Sequence, residues 1–183
     1  MKTLIINGSP RTTGDTTFLL SELKKGLDHE FAELSAYHGA IKPCNDCRAC
    51  TKKHGCVIED DMRLIYADDF DNVVIASPVH MTNLSAPLIG LASRFQVYYC
   101  AKRFLKEEVR LREKRAALIL VGGGGGGPSA AIYSAQLMFK QLNAKAFEKH
   151  VVFSLDTDNI PAWEDQEAIQ RVREMAQYLN RNK

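Results

Sequence analysis

Five short apolar runs alternating with helical patterns constrain this chain more than any other feature. The runs cover residues 4–6, 31–37, 73–76, 116–121 and 147–153. Leu19, Leu20, Leu23 and Leu27 recur at helical spacing after the first run, and further helical patterns cover 84–103, 129–142 and 164–179. Asp60 and Asp61 are placed to cap a helix carrying Met62, Leu64, Ile65 and Phe70. Strands that alternate with helices predict a doubly wound α/β fold, a five-stranded parallel sheet with helices on both faces. At 183 residues and 45% hydrophobic, with no composition break, the chain reads as a single domain, 1–183, with a cysteine-rich loop insertion at 41–59. In the strand order 2-1-3-4-5, strands one, three and four are central, and ligands bind beyond their carboxyl ends.

Three unusual loops leave those ends. After the first strand, Ser9, Thr12, Thr13, Thr16 and Thr17 bring five hydroxyls and Arg11 a guanidinium just before a helix. Free N–H groups and a positive dipole end at a helix start suit a phosphate monoester. The loop lacks the Gly-Lys-Ser/Thr ending of a nucleotide P-loop and the G-x-G-x-x-G of a dinucleotide fold. The second loop, Pro78, Val79, His80, Met81 and on to Asn83, has a rigid start and an apolar middle that can lie along a flat ring. The third is six consecutive glycines, 122–127, with Gly123, Gly124 and Gly125 placed for close backbone approach. A phosphate at one end and a flat ring at the other describe a mononucleotide, and FMN is the one bound at this switch point of such a sheet.

Net charge of +2 draws the chain to neither nucleic acid nor membrane, no run is long enough to span a bilayer, and no signal-peptide pattern is present. Five cysteines without a secretory signal predict a reducing, cytoplasmic setting.

Gly8-Ser-Pro-Arg-x-x-Gly14-Asp-Thr16, Ser77-Pro-Val-His-x-x-Asn-x-Ser-Ala86 and the Asp60-Asp61-Met62 after a cysteine cluster resemble the flavodoxin-fold NAD(P)H-dependent FMN reductases, and within them the iron–sulfur flavoprotein branch. The resemblance implies a flavodoxin-like sheet with Ser9, Arg11, Thr13, Asp15 and Thr16 around the phosphate, and the hydroxyl of Thr17 is counted with them as cofactor-binding. This chain has Asp15 where the family commonly has asparagine, and His80 and Met81 where it has tyrosine and phenylalanine. The cysteines read C-x2-C-x2-C-x5-C at Cys44, Cys47, Cys50 and Cys56, the spacing of the iron–sulfur flavoprotein pattern. As a donor set they leave three readings open: a [4Fe–4S] cluster, redox-active or free thiols, and zinc. His54 within the loop reads as solvated, and Cys100, apart from it, as a buried small hydrophobe.

Together these features predict an FMN-dependent oxidoreductase. NAD(P)H, a ferredoxin-like protein or the chain's own cluster donates electrons, and a quinone, free flavin or other small-molecule acceptor takes them. No acid–base residue is assigned. The alternatives are a non-catalytic electron carrier between proteins and a thiol- or zinc-bearing interaction module. The resemblance also implies a homodimer or homotetramer. The helical face of Leu84, Leu88, Leu91 and Phe95 suits a subunit surface or a core face equally.

Overall fold

The structure, a computed structural model, describes residues 1–145 and 147–181. β1 (Lys2–Asn7), β2 (Glu30–Ser35), β3 (Asn72–Pro78) and β4 (Lys114–Val121) pair in parallel in the order β2-β1-β3-β4. The far edge is shared by β5 (Ala144–Lys145), which pairs with the start of β4, and β6 (Val151–Ser154), which pairs with its end. The expected order 2-1-3-4-5 is therefore the observed one, with its last position divided between two short strands. Residues 147–149 of the expected fifth strand instead form a 3-10 turn, Phe147–Lys149, which buries Phe147 against Phe139.

The central strands read as unbroken apolar runs because both of their faces are covered. Alternate side chains serve two cores. Leu4, Ile6, Val73, Ile75, Leu118 and Leu120 face one side, packed by α3 (Ala86–Ala92) and α5 (Ser129–Gln141). Ile5, Val74, Ala76, Ala117 and Ile119 face the other, under α1 (Asp15–Gly26) and α6 (Gln166–Leu179). Leu84, Leu88, Leu91 and Phe95 are all buried in the first core, which makes theirs a core face. Among the described residues, no helix is long and apolar enough to cross a membrane.

Two helical expectations are corrected. The stretch after Asp60–Asp61 makes one turn only, α2 (Arg63–Tyr66), because Asp68 turns left-handed at φ 52° and Phe70 is buried beyond it on the way into β3. The long helix over 84–103 is divided into α3, a 3-10 turn (Ser93–Phe95), α4 (Gln96–Cys100) and a π turn (Ala101–Leu105). At the first break Ser93 Oγ donates back to the Gly90 carbonyl at 2.5 Å and accepts from Cys44 N–H at 2.9 Å. Back-bonding of this kind bends helices.

Gly8 continues the β1–β3 ladder, its N–H donating to Ala76 at 2.7 Å. A Cβ there would lie 2.3 Å from Leu88 Cδ1 and 2.9 Å from Ser85 Oγ. Gly8→Ala is expected to cost about 1–3 kcal/mol by overpacking this core. A urea midpoint equal to that of the unsubstituted chain would show that Leu88 yields freely.

Candidate functional site

Four loops at the carboxyl ends of β1, β3, β4 and β6 enclose a cleft of about 200 Å³. The β1 loop closes upon the backbone of Arg11: Ser9 Oγ accepts from Arg11 N–H at 3.2 Å, and Thr17 Oγ1 donates to the Arg11 carbonyl at 2.7 Å. Arg11 lines the cleft, and no ion pair among the described residues involves it. Gly14, at φ 143°, turns the chain into α1, and its carbonyl accepts the first helical hydrogen bond from Phe18 at 2.8 Å. The N–H groups of the first turn therefore have no acceptor inside the helix. Gly14, Asp15 and Thr16, at this helix start, form one end of the cleft. Asp15 does not confront that end with two free oxygens, since its Oδ1 accepts from Ala162 N–H at 2.8 Å and ties α1 to the loop before α6.

The opposite wall is Pro78, Val79, His80, Val121, Gly122 and Gly123. Val79 N–H donates to Val121 at 2.7 Å and carries the sheet ladder into the wall. His80 and Asn83 exchange two backbone bonds of 2.9 Å around Met81 and Thr82, both left-handed at φ 50° and 62°. This tight turn leaves Met81 95% exposed and outside the lining of the cleft. Asn83 Oδ1 accepts from Leu84 N–H and Ser134 Oγ, each at 2.8 Å, which pins the turn to α5.

Of the expected cofactor residues, Ser9, Arg11, Asp15, Thr16, Pro78, Val79, His80 and Gly123 thus share one cleft. Thr13, Thr17, Met81, Asn83, Gly124 and Gly125 do not line it. Thr17 and Asn83 shape the loops instead. Gly124, at φ 136°, backs onto Asp156.

Thr157 and Asp158, which no sequence motif singles out, also line the cleft. Thr157 donates N–H and Oγ1 to the Gly122 carbonyl at 2.9 and 3.1 Å, and Asp158 N–H donates to Gly123 at 3.2 Å. A Cβ on Gly123 would sit 2.6 Å from the Asp158 carboxylate, so glycine there lets the two loops close together. A local signal for them exists: Asp156-Thr-Asp-Asn159 is a turn-forming cluster directly after a strand.

A second cavity, of about 410 Å³, is lined by all five cysteines together with Arg94, Tyr99 and Phe104. All five are free thiols: Cys44 and Cys47 exposed, Cys50 and Cys56 half-buried, Cys100 buried. Cys100 is accordingly not apart from the loop. Burial, and then its hydrogen bond with Cys100, pushes the Cys50 thiol up to about 11. His54 is exposed, as expected, and its Nδ1 also pairs with Glu107 Oε2 at 2.5 Å, which ties the outer arc of the loop to the segment after the π turn. No three His, Cys, Asp or Glu side chains among the described residues are arranged to hold a metal ion as they stand. As a donor set, four thiols lining one cavity nevertheless suit a sulfur-ligated centre. Iodoacetamide at about pH 8 is expected to modify the exposed Cys44 and Cys47 first, and last Cys50, whose thiol is held protonated, and Cys100, which is buried away from the reagent. Equal labelling of the five in peptide mass spectra would contradict the burial just described.

A model of the NADPH-dependent FMN reductase family matches residues 1–158. The chain is 34% identical over 101 residues to an iron–sulfur flavoprotein of Methanocaldococcus jannaschii, a match covering 51% of each chain. It is 33% identical over 99 residues to one of Methanosarcina thermophila, covering 51% of this chain and 52% of that one. The chain thus spans about half the length of the curated relatives it matches. Among solved structures, an FMN-dependent NADH-azoreductase from Bacillus anthracis, in complex with FMN, superposes with a TM-score of 0.72 at 18% identity, over 99% of this chain and 100% of that one. An NAD(P)H:quinone oxidoreductase from Methanothermobacter marburgensis gives 0.73 at 15% identity, over 100% and 98%. At these identities the likeness is one of fold.

Proposed function

The chain belongs to the NADPH-dependent FMN reductase family, and from that membership we propose that it is an FMN-dependent oxidoreductase taking electrons from NAD(P)H and passing them to a quinone, a flavin or another small acceptor. One observation carries the reading: a single cleft at the ends of the central strands has donors for a phosphate at one end and an apolar, backbone-rich wall at the other. At the phosphate end, the α1 N-terminus, Thr16 and Arg11 supply N–H, hydroxyl and guanidinium donors. At the other, Pro78, Val79 and Gly122 offer flat, close-approaching backbone. When bound, FMN supplies the two-electron and one-electron chemistry; the protein supplies position and access.

We extend the proposal to a [4Fe–4S] cluster held by Cys44, Cys47, Cys50 and Cys56. Their spacing, their common cavity and the iron–sulfur names of the relatives support it. In this reading the assembly is a homodimer or homotetramer that covers the flavin.

The test is the visible spectrum of protein purified without oxygen, with iron and acid-labile sulfide assayed on the same sample. Flavin bands with about four irons per chain support both parts. Flavin without iron leaves the reductase and removes the cluster. A colourless chain that fails to take up added FMN overturns the central reading.

A further inference from the structure

Arg94 is the largest fully buried side chain of the described residues and lies in the 3-10 turn after α3, outside the cysteine loop. Its guanidinium reaches both ends of that loop. Nη1 donates to the Lys42 carbonyl at 2.7 Å, two residues before Cys44, and Nη2 to the Ile58 carbonyl at 3.1 Å, two residues after Cys56. Asp60 completes the arrangement. It accepts from Nη1 at 2.6 Å and Nη2 at 3.3 Å, and from Lys42 N–H at 3.1 Å, and its side chain is 3% exposed. A cysteine loop without regular structure beyond one 3-10 turn is thereby closed at its base by one side chain.

One donor of Arg94 is not used. Nε is buried and, among the described residues, has no acceptor. A buried N–H left unpaired costs free energy that folding normally avoids. Arg94 lines the cysteine cavity together with Cys44, Cys47, Cys50 and Cys56.

We propose that Arg94 is the positioning residue of the cysteine centre: it clasps the loop so that the four thiols line one cavity before any iron arrives, and its unpaired Nε–H is a donor held for a sulfur of that cavity once it is a ligand. The second half rests on the cluster reading above; the first does not. Outer-shell donors to ligating sulfur orient the ligand and stabilise its charge.

The experiment compares the unsubstituted chain with Arg94→Lys and Arg94→Gln, each checked for native circular dichroism. Lysine retains the charge but can neither bridge both carbonyls nor supply Nε–H. In the reduced, iron-free chains, alkylation is followed cysteine by cysteine. Cys50 and Cys56 are expected to react roughly tenfold faster in both variants, approaching Cys44 and Cys47, as a loop released from its base opens locally. In reconstituted chains, iron retention against a chelator is expected to fall roughly tenfold to a hundredfold in both. Unchanged alkylation rates overturn the clasp, and iron retained equally well by Arg94→Lys overturns the donor. If neither variant folds, Asp60→Asn leaves Arg94 and both carbonyl contacts in place. The cluster then becomes the nearest counter-charge, and its midpoint potential is expected to become more positive; an unmoved potential overturns the role of Arg94. An unsubstituted chain that takes up no iron overturns the cluster reading and the donor with it, while the alkylation rates still decide the clasp.

Discussion

Asp60→Ala is expected to lower the stability of the chain by about 3–5 kcal/mol, because it leaves Arg94 as a buried cation without its carboxylate. The loss is large against the total of roughly 5–15 kcal/mol that holds a domain of this size. Burial alone would raise the Asp60 carboxyl, but hydrogen bonds from Arg94 and from the N–H groups of Lys42 and Met62 outweigh it and hold the group below the ordinary aspartate value of 3.8. A carboxyl lowered on folding contributes stability that is complete above its unfolded value and disappears as pH falls through the lower, folded one. The unsubstituted chain and Asp60→Ala should therefore differ by a constant amount in thermal midpoint above about pH 5 and converge only below about pH 4. A gap that closed instead toward alkaline pH would assign the stabilisation to some other group.

Arg11→Ala should weaken FMN binding by about tenfold to a hundredfold, the loss of one charge-assisted hydrogen bond worth roughly 1.5–3 kcal/mol. Riboflavin, which has no phosphate, should bind both forms alike. Quenching of flavin fluorescence on titration measures each affinity, and raising the salt concentration should narrow the difference for FMN alone. Stability should hardly change, since Arg11 is exposed and only its backbone takes part in closing the loop. Equal losses for FMN and riboflavin would move the phosphate away from Arg11 and so reverse the orientation of the cofactor in the cleft.

How far the sequence could be read depended on how local the determinants were. The runs at 4–6, 73–76 and 116–121 announce buried strands because every residue in them packs against one of two cores, and the observed strands differ only at their ends. The alternation with helices indicated a parallel doubly wound sheet, and in the flavodoxin-like order 2-1-3-4-5, which is the observed one, Ser9, Thr16, Pro78 and Gly123 come to one cleft. What could not be read depends on partners distant in the chain. Asp15 is used by Ala162, 147 residues away, and Arg94 by Asp60, 34 residues away. Nothing in the local pattern of either residue indicates those partners. The direction of Met81 was hidden for a different reason: a two-residue turn with both residues left-handed leaves its side chain exposed whatever its apolarity favours. The division of the helix over 84–103 was equally hidden, because the serine that bends it also serves the cysteine loop.

The divided edge of the sheet bears on how copies of this chain avoid one another. Open strand edges recruit neighbours into continuous ribbons. Beyond β4, an approaching strand meets two paired residues, then the turn Phe147–Lys149, then four more paired residues. The opposite edge, β2, is six residues long, with Glu30 and Glu33 exposed along it. Neither margin offers a long, flat, uncharged ladder, so crowding should favour contacts between helix surfaces and loops over the growth of cross-strand aggregates.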